Sequence, residues 1–330
     1  MPLFNVVVPS DYKKSERLDK FIASLPNGMN RSKLKSGVTD ILVNNKKSKI
    51  SYKVKANDEI CIMWEDNIPD NIEPENIPLD IIYEDDNVTV VNKKQGMVTH
   101  PACGNWSGTL VNALLYHWGR ESITQLKDGT DAEIIAKRRP GIVHRLDKAT
   151  SGIIVTAKNR DAEEWLQSEF RDKTLQKEYI LIVTGRPKLR DGDIRTQIIR
   201  DPKNRQRFKA VVDTEEGKYA RTLYHVIACY GNYSLIRVRL KTGRTHQIRV
   251  HMKYIGCPIL GDESYNKVDN NFPNATLMLH STQLKIRLPN DEQYTTFRTK
   301  TPQRFLSVEK KLKAKYNKEL LPNNKNHIIN

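Results

Sequence analysis

The chain has 330 residues, with 55 Lys plus Arg against 39 Asp plus Glu, a formal net charge of +16 and an isoelectric point near 9.5. That length accommodates one sizeable core and a smaller module, and the charge favours polyanionic partners through release of their condensed counterions. No apolar run approaches the ~20 residues of a membrane span, and Met1-Pro2-Leu3-Phe4-Asn5 lacks the basic flank and apolar core of a signal peptide, so a cytoplasmic address is expected.

In chain order, Leu18, Phe21, Ile22 and Leu25 fall at helical spacing, and Arg31, Lys33 and Lys35 decorate a second short helix. An apolar strand, Ile41-Leu42-Val43, turns at Asn44-Asn45 into Lys-rich segments ending at Asp58-Glu59-Ile60. Together these predict a basic helix pair on a small sheet over residues 1–66. Pro69, Pro74 and Pro78 disfavour helix and ladder hydrogen bonds, so a linker is expected over 67–79.

Beyond it, Ile81-Ile82-Tyr83 and Val88-Thr89-Val90-Val91 read as strands, and Thr109 caps a helix with Leu110, Val111, Leu114 and Leu115 on one face. Ile153-Ile154-Val155 predicts a buried strand, and Asp161 with Glu164 predicts a capping box before a helix that buries Ala162, Leu166 and Phe170. Lys177 to Val183 and Ser234 to Leu240 alternate as strands do. The fold class expected over 80–308 is α+β with a largely antiparallel sheet. Lys310 to Asn330 is Lys- and Asn-rich, so a frayed helix and a disordered basic tail are expected from 309 onward.

Two clusters carry chemistry. The first, Gly141-Ile142-Val143-His144-Arg145-Leu146-Asp147-Lys148-Ala149-Thr150-Ser151-Gly152, places an Asp between two cations that favour its charged form, which suits a nucleophile or a base. The same pattern also fits a turn aspartate that merely accepts backbone hydrogen bonds. In the second, a helix starting near Thr245 would put Ile248, Met252 and Ile255 on one face and His246, Arg249 and Lys253 on another. That cationic face could meet a phosphate or carboxylate, or simply be solvated.

No metal is expected. His246 and His251 stand five apart with no carboxylate completing a set, and Cys61, Cys103, Cys229 and Cys257 are too dispersed for a zinc ribbon or a disulfide framework.

The string His144-Arg145-Leu146-Asp147-x-x-Thr150-Ser151-Gly152, followed about a hundred residues later by Gly243-Arg244-Thr245-His246-Gln247-Ile248-Arg249-Val250-His251, resembles the RluA-type pseudouridine synthases. Within them the chain is most similar to the large-subunit ribosomal D type, through Val98 to Asn105 and Gly108 to Leu115. One departure is Lys94, where the family usually places proline. The first module resembles the small RNA-binding module named after ribosomal small-subunit protein four.

The resemblance implies a pseudouridine synthase catalytic domain with Asp147 as its catalytic aspartate. It implies that Arg145 helps displace the target base and that Arg249 pairs with Asp147. It also implies that Tyr179 lies against the uracil ring and is a candidate for removing the carbon-five proton. RNA is the expected partner, ribosomal large-subunit RNA first and transfer RNA as the alternative. Arg205 and Arg207, with Arg200, Lys203 and Lys209, are expected to meet phosphates. No cofactor is implied, since no Gly-rich nucleotide loop is visible, and a monomer is expected. The rival class is a non-catalytic RNA-binding assembly factor, which predicts a damaged pocket.

Overall fold

The computed structural model describes the chain except residues 1–2, 26–27, 30–33, 35–37, 65–70, 103, 122, 125–139, 173, 323–327 and 330. Two compact units result, Met1–Pro69 and Asp70–Asn330.

In the first unit, β1 (Leu3–Val7), α1 (Leu18–Ser24), β2 (Val38–Val43), β3 (Lys46–Lys47) and β4 (Glu59–Trp64) form an antiparallel sheet of order β1-β4-β2-β3 with the helix beside it. Leu18, Phe21 and Ile22 pack with Ile41, Val43, Ile60 and Ile62. Asn44 and Asn45 both take positive φ, 51° and 61°, the conformation a two-residue hairpin turn requires and asparagine tolerates. Arg31, Lys33 and Lys35 lie outside the described residues.

The second unit opens with β5 (Asn71–Ile72), β6 (Ile81–Glu84), β7 (Val88–Lys93), α2 (Leu110–His117) and β8 (Ile123–Thr124). Of the segment expected to be a linker, the described residues 71–79 are docked: β5 pairs with β8, and Ile72 is fully buried among Val91, Leu110 and Leu114. The prolines prevent a long ladder, but one buried isoleucine and the Glu75 carboxylate, which accepts from Gly108 N–H, hold the segment down. Next come β9 (Ser151–Ala157) and α3 (Arg160–Asp172). The cap of α3 is Asn159, whose Oδ1 accepts from Ala162 N at 2.9 Å, in place of the expected Asp161–Glu164 box.

Then follow β10 (Gln176–Thr184), β11 (Asp191–Arg200), β12 (Phe208–Val211), β13 (Lys218–Tyr230), β14 (Tyr233–Leu240), α4 (Gln247–Tyr254), β15 (Leu279–Arg287) and β16 (Tyr294–Arg298). The chain closes with α5 (Gln303–Lys315), β17 (Lys318–Glu319) and β18 (Ile328–Ile329). Helix α4 begins two residues later than Thr245, because His246 takes a left-handed φ of 56°.

The segment from 309, expected to be a frayed helix and a disordered basic tail, carries regular elements among its described residues. Phe305, Val308 and Leu312 of α5 are buried in the main core, β17 pairs with β13, and β18 pairs with β11. Those three apolar residues at helical spacing outweigh the surrounding lysines.

The twelve strands follow the order β12-β11-β13-β14-β10-β15-β9-β7-β6, with β16, β17 and β18 attached at the side. The fold is mixed α+β, mostly sheet, and antiparallel except for the β9–β15 and β11–β18 pairs. The parallel β9–β15 pairing joins the two halves, setting Ser151 opposite His280 and Gly152 opposite Ser281. Gly152 has a φ of 115°, and a Cβ there would stand 2.2 Å from Ser281 O, so only glycine lets the strands approach. The loop preceding β9 thereby emerges beside β10.

Two buried histidines brace this sheet. His251 meets Thr222 at 2.8 Å and Thr196 at 3.0 Å, and His280 meets Ser151 at 2.8 Å and Thr299 at 2.9 Å. Burial pushes both imidazoles down to about 4, with Arg304 adding to the effect at His280. An unfolded histidine titrates near ~6.5, so below that pH the unfolded chain takes protons that the fold refuses. Stability should therefore fall from pH 6.5 to 5, by up to about 1.4 kcal/mol per pH unit for each histidine. Thermal unfolding across that range tests this. The melting temperature should drop with pH, and a flat profile would contradict neutral histidines.

Candidate active site

A cleft of about 940 Å³ opens where the loop before β9 meets β10, the end of β14 and the start of α4. Asp147 sits on that loop with its side chain 20% exposed. Four successive carbonyls fix the loop's path: Leu146 O accepts from Thr99 Oγ1, Asp147 O from Thr150 N, Lys148 O from Gly96 N and Ala149 O from Gln95 Nε2, all at 2.8–2.9 Å. Three of these donors come from residues 95–99. That bracing segment is in turn held by Lys93, whose buried ammonium donates to Met97 O at 2.8 Å and Lys94 O at 3.1 Å. Burial pushes Lys93 down to about 7, partly offset by the nearby Asp147 charge.

Arg249 reaches Asp147 from α4, with Nη1 3.4 Å from Oδ2. Its other edge is clamped by the fully buried Asp262, Nε to Oδ2 at 2.8 Å and Nη2 to Oδ1 at 2.7 Å. The guanidinium also lies 5.0 Å from the centroid of the Tyr265 ring. Burial opposes the Arg249 charge, but the Asp262 hydrogen bonds and the charges of Asp262 and Asp147 outweigh it, so its pKa is raised. Asp262 itself is tied by the backbone N–H groups of Ser264 and Tyr265.

His246 faces Asp147 with Nε2 3.7 Å from Oδ2, and its Nδ1 lies 2.8 Å from Tyr265 Oη. Tyr265 Oη also accepts from Phe208 N. Burial lowers the His246 pKa, with Arg249 and Arg145 adding to it and Asp147 and Asp262 opposing.

Tyr179 stands on β10 and lines the cleft, nearly buried. Burial raises its pKa, a hydrogen bond from Ser281 works against this, and the Asp147 charge raises it further. At neutral pH the group is a phenol, and proton removal by its oxygen requires the phenolic proton to leave first. Arg145 lines the cleft and is exposed, and no hydrogen bond or ion pair to it is found among the described residues.

The structure thus gathers Asp147, Arg145, Tyr179 and Arg249 at one cleft. Arg205 and Arg207 lie elsewhere, in the turn between β11 and β12, and do not line it. His251, read beside His246 in the sequence, points away into its threonine pair. Sequence reasoning missed Asp262, Lys93 and Tyr265. Lys93 left one signal, the only charge in a largely buried strand, Val88–Lys93. Asp262 left none, lying 13 residues from Arg249 in an irregular segment.

Chemically, the arrangement offers a solvent-reachable carboxylate, a fixed cation, an aromatic wall and an exposed arginine. It suits attack on, or proton transfer with, a group carried by a polyanion.

The description RNA pseudouridylate synthase matches residues 87–254. A protein named Ribosomal large subunit pseudouridine synthase D, from Borreliella burgdorferi, is 45% identical over 262 residues, covering 79% of this chain and 77% of the relative. The Uncharacterized RNA pseudouridine synthase YlyB of Bacillus subtilis is 39% identical over 90% of this chain and 94% of its own length. The solved Human RNA Pseudouridylate Synthase Domain Containing 1 has the same fold, with a TM-score of 0.54 and 24% identity over 75% of this chain and 91% of its own. The chain belongs to the RNA pseudouridylate synthase family, whose members are isomerases.

Proposed function

We propose that the protein isomerises uridines in large-subunit ribosomal RNA, with Asp147 as the catalytic carboxylate. The observation that carries this reading is the Asp147–Arg249–Asp262 chain of ion pairs at the floor of an open cleft. The name of the Borreliella burgdorferi relative supports the choice of RNA.

The reaction breaks the bond from ribose carbon one to uracil nitrogen one, turns the base within the cleft and forms a bond from carbon one to carbon five. Carbon five gives up its proton and nitrogen one gains one, so the net change is an isomerisation. Asp147 acts on the ribose or the ring, while Arg249 keeps its carboxylate oriented and offsets its charge. Tyr179 supports the base ring, and its oxygen takes the carbon-five proton only as it gives up its own, which balances when that proton is the one nitrogen one gains.

A stacked uridine cannot reach Asp147, so it is flipped out at a cost of a few kcal/mol, least in loops. Arg145, exposed at the cleft, fills the gap it leaves. The unit Met1–Pro69 serves as an RNA-binding module through Arg31, Lys33 and Lys35, and Arg205 and Arg207 add phosphate contacts. The protein works in the cytoplasm, without a cofactor and as a monomer.

Pseudouridines mapped in ribosomal and transfer RNA from cells with and without the gene test the substrate. Loss of particular large-subunit positions, restored by the wild-type gene, is expected. Loss confined to transfer RNA would overturn the choice of substrate. The clamp is tested separately in purified protein by Asp262→Asn. Releasing the back of Arg249 should lower kcat by about 10²-fold, the size of effect seen when a reacting group is displaced by ~1 Å. Wild-type kcat in this variant would show that Arg249 needs no anchor.

A further inference from the structure

Lys177 stands two residues before Tyr179 on β10, so both side chains leave the strand on the cleft side. Its ammonium lies 5.2 Å from the centroid of the Phe170 ring. Burial alone pushes the amine down to about 8, and no carboxylate among the described residues offsets that effect. His144, stacked on Phe170 with ring centroids 4.5 Å apart, adds no charge. Burial and Lys177 push its imidazole down to about 3, and its Nε2 accepts from Val155 N–H. An uncompensated cation set into a cleft wall is costly for the free protein.

Beside Lys177, the loop that follows β14, the strand paired with β10, carries Gly243. Its φ lies outside the left-handed range, so torsion alone does not demand glycine there. A Cβ at this position would meet one atom within 4 Å, Lys177 Nζ at 3.4 Å. Glycine therefore leaves open the space in front of the amine, as it does where a backbone must let a phosphate come close. Lys241 and Arg244 flank it on the same loop and also line the cleft.

Building on the RNA-modifying reading above, we propose that Lys177 and Gly243 form a subsite for one backbone phosphate of the RNA, next to the uridine delivered to Asp147. A phosphate supplies the negative charge that Lys177 lacks and fits the gap that a side chain at 243 would fill. The subsite also fixes direction: with one linkage held here, the neighbouring nucleoside is offered to Asp147 across the same cleft.

Binding of a twelve-residue oligouridylate to the full chain, followed by fluorescence anisotropy through a salt series, tests this without requiring turnover. Lys177→Met should weaken binding and lower the salt slope by about 0.7, the value for one phosphate contact on a single strand. Lys177→Arg should keep the slope. Gly243→Ala should weaken binding with the Lys177 charge intact, and serves as the second test if Lys177→Met does not fold. Unchanged affinity and slope in Lys177→Met, or in Gly243→Ala should the first variant be unfolded, overturn the subsite. Lys177 is then only a brace for Phe170. Wild-type formation of pseudouridine in large-subunit RNA is scored separately, so loss of the subsite and loss of the enzymatic reading give different results.

Discussion

Arg249 is held between two carboxylates, and the site depends on that placement. Asp262 is fully buried, and leaving such a charge unpaired would cost several kcal/mol. The bidentate guanidinium and two backbone N–H groups satisfy it. Once Arg249 is committed to Asp262 along one edge, its remaining Nη1 can point only toward the Asp147 loop. A lysine could hold a charge here, but it lacks the planar fork that fixes the direction of the second contact. The Tyr265 ring against the guanidinium and the His246 imidazole on the other side complete the frame around Asp147.

That frame requires the two halves of the sheet to meet closely. The parallel contact of β9 with β15 brings the Asp147 loop to β10, and Gly152 is the residue whose missing Cβ permits it. Buried polar groups continue along the same seam. Arg304 donates to Ser151 Oγ at 2.7 Å, Ser151 meets His280, and His280 meets Thr299. Burial pushes Arg304 down to about 10, yet α5 still carries it into the seam, which links the C-terminal helix to the end of the Asp147 loop. Lys93 does similar work on the other flank by fixing the segment that grips the loop's carbonyls. The Asp147 charge in turn favours the protonated form of Lys93.

Much of this was legible in the sequence because the chemistry is concentrated in contiguous strings. Asp147 and Arg249 lie in two such strings, and Tyr179 lies on a strand whose alternation is plain. The expected antiparallel sheet, the Thr109 cap and the Asn44-Asn45 turn follow from local rules that the fold does not override. What was hidden depends on long-range pairing. Asp262 acquires its role only when α4 folds back over the following loop, and Lys93 only when residues 94–99 close over the Asp147 loop. The cap of α3 was misread because Asn159 and Asp161 are both competent acceptors, and the helix start selects the former. The chain after 309 was misread because its lysines masked Leu312, which continues the buried face begun by Phe305 and Val308.

The account rests on the Asp147 carboxylate performing chemistry rather than merely shaping a turn. Release of tritium from carbon five of uridine-labelled large-subunit RNA, with enzyme in excess over RNA, measures that step directly. Wild type should release label, while Asp147→Asn, which keeps the size and hydrogen-bonding reach of the side chain, should bind the RNA equally well and release none. Release by Asp147→Asn at a rate near wild type would contradict the account.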